Sequence, residues 1–560
     1  MKPTFAIYGI QDRNAALPYP AYIHDHNLCL MQQGKVITYL HLERVSRKKY
    51  DNCLAQYIEP ILAELFIQKN ELQEFDFVCV NSFVGNAFIS QNGRFRFEAK
   101  INGKEQLQFP LSTGFAYWQV WHWQGIEISA WLCPQELAHI GACLPFYGPF
   151  RENSLLIHFD GGASQGNFSA FLYKESKIQL IECHWELSYL SKFFNDNALS
   201  FKIIGSKPST HCSHPGKFMG YAALGKYEET IEKWLIENDY FRQYWHNPEA
   251  ILESIYKSFG KKINHFSTQE PFFQDVAATF QHIFTRDLLA KIEHLQSKVQ
   301  ADYLYYSGGC ALNIVANTAI VEKNWFREVF IPPCCNDSGL SLGAAALLEM
   351  QKGNVVACHS PYLCNYGLGI IEVPSPPENL IEQTINLLLS KKVIGICNGY
   401  GEIGPRALGN RSIIALPNSK ELAKKVSMKC KKREWYRPVA PIMLKEVAEM
   451  VTGKKVSLLA KYMLLDFIVL PSFYKALQGV IHANGTARIQ VLFQEEDNLL
   501  LYKLLHCLYH KHQILGLINT SFNQQGEPIV HTPEQAISSA QVMGLDAVII
   551  NNQLINLGEK

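Results

Sequence analysis

The sequence predicts an α/β protein of more than one domain, and three observations carry that prediction. The first is length: 560 residues exceed what a single hydrophobic core usually holds, so two to four domains are expected. The second is a recurring pattern in which a short apolar strand runs into a glycine turn and then a second strand or a helix. It occurs at NLCLMQQGKVITYLH, LLIHFDGGASQGNFSAFLY and ADYLYYSGGCALNIVANTAI. The third is helical periodicity between such strands, as at Leu54, Tyr57, Ile58, Ile61, Leu62 and Leu65.

Composition narrows the function classes. A hydrophobic content of 48% and a charged content of 18% fit an ordinary globular protein. A net charge of +1 argues against a general nucleic-acid binder, which needs an extended basic face. The most apolar run, Leu458 to Leu470, is interrupted by Lys461 and Asp466, so neither a membrane span nor a membrane partner is expected. Fifteen cysteines are scattered through apolar segments, and Cys29, Cys79, Cys310 and Cys397 read as buried free thiols in strand-like runs. With no leader-like segment ahead of them, a reducing cytoplasm is the expected setting.

Charge is concentrated in one stretch. Between Tyr400 and Ala440 ten lysines and arginines face three glutamates, an excess of seven positive charges in a nearly neutral chain. Such a cluster among glycines suits a compact polyanion, most simply a phosphate group. Asn418 with Glu421 three residues on is the pattern of a capping box opening a helix. Lys424 and Lys425 on that helix read as a solvated basic face. Arg406, Arg411, Lys431, Arg433 and Arg437 read as ligand-facing, since arginine recurs there beside Gly and Pro, where a planar bidentate donor fits phosphate or carboxylate.

Upstream, the strand–turn–strand at Asp160, Gly161 and Gly162 places a carboxylate at the end of an apolar strand, where it holds metal or lets backbone N–H groups face phosphate. The Ser-Gly-Gly turn at Gly308 and Gly309 opens a helix whose first N–H groups favour anions. His211, Cys212 and His214 have loop spacing and read as structural. The aromatic stretch from Phe88 to Trp131, with Trp118, Trp121 and Trp123, reads as packing surface, with an acceptor pocket as the other possibility.

GPRALGNRS followed by KKREWYRPVAP resembles the carboxy-terminal domain of the NodU/CmcH-family carbamoyltransferases of antibiotic and nodulation-factor biosynthesis. The resemblance runs in order along nearly the whole chain. His24 and Asp25 match its HD segment, and Glu43, Arg44 and Arg47 match the arginine-bearing segment after the first hairpin. CPQELAHIGACLPFYGPF matches its histidine helix, and Gly216, Lys217 and Gly220 match its GK…G segment. Gly308, Gly309, Ala311, Leu312, Asn313 and Asn317 match its GG…ALN…N string. VIHANGTARIQV and GLINTSFNQQGEPIVHTPEQAI match its last two motifs.

The resemblance implies an ASKHA architecture of the TsaD-like kind over residues 1–360, with two ribonuclease-H-like lobes. A linker between Lys352 and Tyr366 then leads to a YrdC-like α/β domain over 368–560. It implies that carbamoyl phosphate and ATP, with Mg²⁺, form carbamoyladenylate in the second domain, and that the first passes the carbamoyl group to a hydroxyl of a small-molecule acceptor. By the same resemblance His24 is the general base, an assignment that imidazole chemistry allows near neutral pH. His139, Asp160 and Asp337 would hold a divalent metal, iron in the family, and Gly161, Gly162, Gly308, Gly309 and Asn313 would meet nucleotide. Arg406, Arg411, Lys431, Arg433, Arg437, Arg488, Asn519, Thr520, Ser521 and Asn523 would meet carbamoyl phosphate and ATP. Three positions depart from the family. Gln135 stands where the first histidine of a metal-binding pair is expected, with Glu136 beside it, and Cys133 or Glu136 is the candidate to compensate. Tyr400 replaces an arginine and Asn484 an aspartate. The alternatives are a family member that binds ligand without transfer, and a kinase or ATPase using the ASKHA cleft alone. Neither the acceptor nor the oligomeric state is written in any motif.

Overall fold

The computed structural model describes residues 1–11, 20, 22–66, 74–82, 87–89, 91, 96–98, 107–114, 130–242 and 248–558. Trp118, Trp121 and Trp123, with most of the aromatic stretch around them, lie outside these residues.

Two sheets of the same design build the first part of the chain. In the first, β1 (Thr4–Tyr8), β2 (Asn27–Gln32) and β3 (Lys35–His41) form an antiparallel meander, and β4 (Asp76–Val80) and β5 (Ala130–Cys133) continue parallel to β1, in the order β3-β2-β1-β4-β5. A two-residue strand, Thr113–Gly114, adds to the β5 edge. In the second, β6 (Ser154–Phe159), β7 (Phe168–Lys174) and β8 (Lys177–His184) form the meander, and β9 (Tyr303–Ser307) and β10 (Glu328–Phe330) run parallel to β6, in the order β8-β7-β6-β9-β10. Order and strand directions repeat one for one. The two mutually similar lobes expected from the sequence are therefore present in the topology itself.

The lobes are joined by two helices lying between the sheets. Helix α1 (Gln135–Gly141) follows the first sheet and packs on β6 and β9 of the second. Helix α2 (Leu340–Gln351) ends the second lobe and packs on β1, β2 and β4 of the first. Residues Leu340 to Glu349 are all buried, which fits the run of Leu, Ala and Gly there, because each side of this helix meets protein. Contact is closest at Gly343: a Cβ there would stand 1.8 Å from the Ala138 carbonyl oxygen, and one on Gly141 would stand 2.4 Å from that of Gly343.

The last sheet has seven strands. In chain order they are β11 (Ile394–Cys397), β12 (Arg411–Ala415), β13 (Ala440–Leu444), β14 (Gln490–Leu492), β15 (Leu517–Ser521), β16 (Ala547–Ile550) and β17 (Gln553–Asn556). Across the sheet the order is β14-β13-β15-β12-β11-β16-β17, a twisted mixed sheet with its own apolar core. The connecting segment joins the halves: Cys364 bridges Tyr39 on one side and Gly401 on the other. Arg44 donates to the Gly404 carbonyl and Arg47 to those of Pro528 and Ile529, so these two arginines act as domain clasps.

Two local expectations change. Ser419, not Asn418, caps the basic helix, accepting from the Leu422 N–H, because only Ser419 is the extended residue directly before the first turn. That helix spans only Lys420–Lys424 before a wider π turn over Lys425–Cys430. Cys310 is half-buried in a short 3₁₀ turn (Gly309–Leu312), whereas Cys29, Cys79 and Cys397 are buried in strands as expected. No helix among the described residues is long and apolar enough to cross a membrane.

The α1–α2 crossing yields a stability prediction. Gly343→Ala is expected to lower unfolding free energy by about 3 kcal/mol or more, since the added methyl meets backbone that cannot yield. Gly353→Ala, whose Cβ meets nothing within 4 Å but whose φ is +83°, is expected to cost only about 1 kcal/mol. Calorimetric melting of both variants tests the ordering.

Candidate active site

The end of β6, the start of α2 and the middle of α1 converge on one buried point between the lobes. His139 Nε2 lies 3.4 Å from Asp160 Oδ2 and 3.4 Å from Asp337 Oδ1. The His139 Nδ1–H donates to the Cys335 carbonyl at 3.1 Å, which leaves Nε2 as the lone-pair nitrogen facing the carboxylates. Among the described residues that buried Nε2 has no hydrogen-bond partner. The Tyr8 hydroxyl donates to Asp337 Oδ2 at 2.9 Å, and the Gly309 and Gly161 N–H groups donate to Asp160. Burial, then the charge of Asp337, pushes the Asp160 carboxyl above its usual range. Asp337 is held below it despite burial, by His24 and His139. Metal ligand atoms about 2.0–2.2 Å from one cation stand roughly 3–3.4 Å apart, so an orphaned nitrogen between two carboxylates at these distances fits a divalent cation. The three sequence-predicted metal residues are thus brought together.

His24 borders this point. Its Nδ1 is 3.0 Å from Asp25 Oδ2 and 4.0 Å from Asp337 Oδ2, and its side chain keeps 28% exposure. Asp25 is buried and fixed from other sides by His41 Nε2 and the Asn336 amide, both at 3.0 Å. An Nδ1–H donated to Asp25 leaves Nε2 of His24 as the basic nitrogen, oriented by a carboxylate that cannot turn. Burial would lower the His24 pKa, but Cys212, Asp337 and Asp25 together raise it above the ordinary value.

A second feature is a cavity of about 400 Å³ between the second lobe and the last domain. One wall is the helix His214–Ala222, which contributes Gly216 and Gly220, together with Gln281; the other carries Arg406, Arg433, Arg437 and Arg488, with Asn519, Thr520 and Ser521 at the end of β15. Among the described residues, Arg406 Nε and Arg488 Nε are buried without a hydrogen-bond partner. Burial, then Arg406, Arg433 and Arg437, holds the Arg488 guanidinium well below its ordinary pKa. Burial and Arg437 act likewise on Arg433. Glu434 pairs with Arg437 at 3.4 Å but also with Lys217 at 2.8 Å. Guanidinium groups keep their charge in proteins, so four of them around one cavity form a site whose repulsion an anion relieves. Asp466 also lines it, with one buried oxygen that has no partner among the described residues and its carboxyl pushed up to about 6, by burial first and against the pull of Thr486 and Arg488.

The domains touch tightly beside both features. A Cβ on Gly404, whose φ is +87°, would stand 2.3 Å from the Pro333 carbonyl oxygen. Only glycine allows the Gly404–Pro405–Arg406 turn to approach residues 333–335, two residues before Asp337. The Arg406 charge is felt by the Cys335 thiol, whose own carbonyl accepts from His139 and from the Gly308 N–H.

Several residues expected to meet ligands are engaged by protein groups in this geometry. Arg411 is buried, and its guanidinium is taken up by the carbonyls of Asn398, Gly399, Asn410 and His531. It clasps the loops around β12, and no N–H remains for phosphate. The Lys431 ammonium is engaged by the carbonyl and hydroxyl of Ser521 and by the carbonyl and side chain of Asn523 at 2.9 Å. Asn523 in turn donates to Gln524 and Glu527 carbonyls, so both residues brace Ser521 from behind. Gly161, Gly308 and Gly309 direct their N–H groups at Asp160 and Cys335, and Asn313 caps the following helix while pairing with Gln281. Gly162 follows in the same turn. Tyr400 donates to the Gly369 carbonyl away from the cavity, so its departure from arginine removes no cavity charge, whereas Asn484 does line it. Glu136 is fully engaged by Ser164, Gln165 and Gly166, and the Cys133 thiol by the Pro134 carbonyl, so neither compensates for Gln135. His214 has both ring nitrogens bonded to Ser200 and Ser206 hydroxyls, the structural role expected for it.

Sequence reasoning passed over Tyr8, His41, His158 and Asp466 as site residues. His158 carried a usable signal, since two residues before Asp160 on a strand is the same face.

With this geometry in view, comparison with known proteins is decisive. Residues 128–346 match the family defined as Carbamoyltransferase N-terminus, and residues 385–556 the family defined as Carbamoyltransferase C-terminus. The chain belongs to the carbamoyltransferase family. By that membership it is a transferase enzyme. An uncharacterized protein of Methanocaldococcus jannaschii is 26% identical over 95% of this chain and 98% of its own length. The nodulation protein NolNO of Sinorhizobium fredii is 23% identical over 98% of this chain and 81% of its own. Nodulation protein U of the same organism is 31% identical over 56% of this chain and 58% of its own. Among solved structures, full-length HypF in a phosphate- and nucleotide-bound form aligns over 64% of this chain and 56% of its own, at 11% identity and a TM-score of 0.31.

The contrast between clasping and unpartnered arginines is testable by melting. Arg411→Lys is expected to lower unfolding free energy by about 2 kcal/mol or more, since buried carbonyls lose their donors. Arg406→Gln, which removes an unpartnered charge from a repelling group, is expected to leave the melting temperature unchanged or raised.

Proposed function

We propose that this family member is an O-carbamoyltransferase that uses carbamoyl phosphate and ATP, with Mg²⁺, and a hydroxyl of a small molecule such as a sugar or secondary metabolite. The observation that carries this reading is the cavity of four arginines, two with buried Nε atoms that have no partner among the described residues, bordered by glycines that admit a ligand closely. Such a site suits a ligand with several phosphates.

Water hydrolyses carbamoyl phosphate there: the water oxygen bonds to phosphorus as the bond from phosphorus to the carbamate oxygen breaks, giving inorganic phosphate and carbamate. A carbamate oxygen attacks the α-phosphorus of ATP, pyrophosphate leaves, and carbamoyladenylate forms. Arg406, Arg433, Arg437 and Arg488 neutralise the charge that develops, already arranged before reaction. Asn519 and Ser521, fixed by Gln490 and Lys431 respectively, supply neutral hydrogen bonds. At the interlobe centre, His24 takes the acceptor's proton through the nitrogen that Asp25 leaves free. The acceptor oxygen bonds to the carbamoyl carbon, the bond from that carbon to AMP breaks, and AMP departs. His139, Asp160 and Asp337 would hold a divalent cation, iron(II) or a similar ion, which supplies Lewis-acid polarisation when bound.

Pyrophosphate release from ATP, followed with and without carbamoyl phosphate, tests the reading. Release is expected only with both substrates, and Arg406→Ala or Arg488→Ala is expected to lower its kcat/KM by about a hundredfold or more. His24→Ala is expected to lose about 10²–10⁴-fold in carbamoyl transfer while pyrophosphate release continues. ADP as the product would make the chain a kinase or ATPase. No pyrophosphate from folded protein supplied with Mg²⁺ and Fe²⁺ would make it a ligand-binding family member without transfer.

A further inference from the structure

At the interlobe centre a second imidazole stands ready that the expected ligand set omits. His158, on β6 two residues before Asp160, shows no surface, and neither of its ring nitrogens has a hydrogen-bond partner among the described residues. A buried imidazole with two unsatisfied nitrogens is costly in a packed core, where polar groups are nearly always paired. Its ring stacks on that of His139, centroids 5.0 Å apart and planes inclined by 24°. One ligand atom each from His139, His158 and Asp160 lies within 4.8 Å of the others.

We infer that His158 is a ligand of the divalent cation, taking the place of the missing histidine at Gln135. The alternatives at that place are closed: Glu136 is bonded to three donors, the Cys133 thiol points to the Pro134 carbonyl, and the Gln135 amide turns its N–H toward Asp337 at 3.5 Å. The second imidazole therefore comes from a strand, not from one turn back on α1. Strand alternation sets His158 and Asp160 on the same face of the sheet, and α1 lays His139 over that face. The resulting set, the imidazoles of His139 and His158 with the Asp160 carboxylate, and Asp337 3.4 Å from His139, has no thiolate. It suits iron(II), manganese, cobalt or zinc rather than a soft cation.

The inference rests on the metal reading of the centre, and metal titration separates the two. Cobalt(II) added to the metal-free full-length chain reports through its visible absorption as well as its affinity. Wild type is expected to bind one cobalt. His158→Phe, which keeps a ring stacked on His139, is expected to weaken binding by about tenfold or more and to alter the spectrum through loss of a nitrogen donor. His158→Gln tests the same loss with a polar side chain, should phenylalanine disturb folding as judged by circular dichroism. Folded His158 variants with wild-type affinity and spectrum, beside a His139→Ala variant that has lost both, would overturn the inference and leave the metal reading standing. A wild-type chain that binds no cobalt, iron or zinc would overturn both.

Discussion

The active-site geometry depends on one steric constraint, the close crossing of α1 and α2 at Gly141 and Gly343. Each helix belongs in sequence to one lobe and packs on the sheet of the other, so the crossing is the hinge pin of the duplicated fold. No side chain fits at the contact, and the backbones touch. His139 sits on α1 one residue after Ala138, whose carbonyl faces Gly343. Asp337 sits three residues before α2 begins. The 3.4 Å between the His139 nitrogen and the Asp337 oxygen is thus a consequence of how nearly two helix axes approach. A shift at the crossing would move the His139 nitrogen away from the two carboxylates that it faces at 3.4 Å.

The same economy joins the halves of the chain. The basic Gly404–Pro405–Arg406 turn of the last domain lies against residues 333–335 of the first, with no space for a side chain at Gly404. Arg406 then faces the cavity, while Cys335, immediately across the contact, holds His139 through its carbonyl. Arg44 and Arg47, immediately after the first hairpin, hold the same interface by main-chain contacts. The arginine-lined cavity and the buried carboxylate–imidazole centre therefore share one wall. That arrangement suits an intermediate made at one place and consumed at the other without release to water.

Much of this was legible in the sequence. Strands punctuated by glycine turns gave two of the three large sheets among the described residues, because alternation and turn chemistry are local. His139, Asp160 and Asp337 were legible by resemblance, and the structure unites them. What failed to show was which cations face a ligand. Arg411 and Lys431 lie in the same dense basic stretch as Arg406 and Arg433, but their donors are claimed by protein carbonyls, some of them more than eighty residues distant, at His531 and Ser521. Composition cannot distinguish a buried clasp from an open site, since both use the same residue and only long-range packing decides. His158 went unread for the opposite reason. Its strand position placed it beside Asp160, yet only the placement of α1 from the other lobe supplies its partner.

Binding of ATP with Mg²⁺ to the full chain, measured by titration calorimetry over a range of salt, tests the central claim most directly. The account predicts saturable binding by wild type that weakens as salt rises, and loss of that binding in the Arg406→Ala, Arg488→Ala double variant, which remains folded. Wild-type affinity in the double variant would show that the arginine cavity does not hold the nucleotide and would contradict the account.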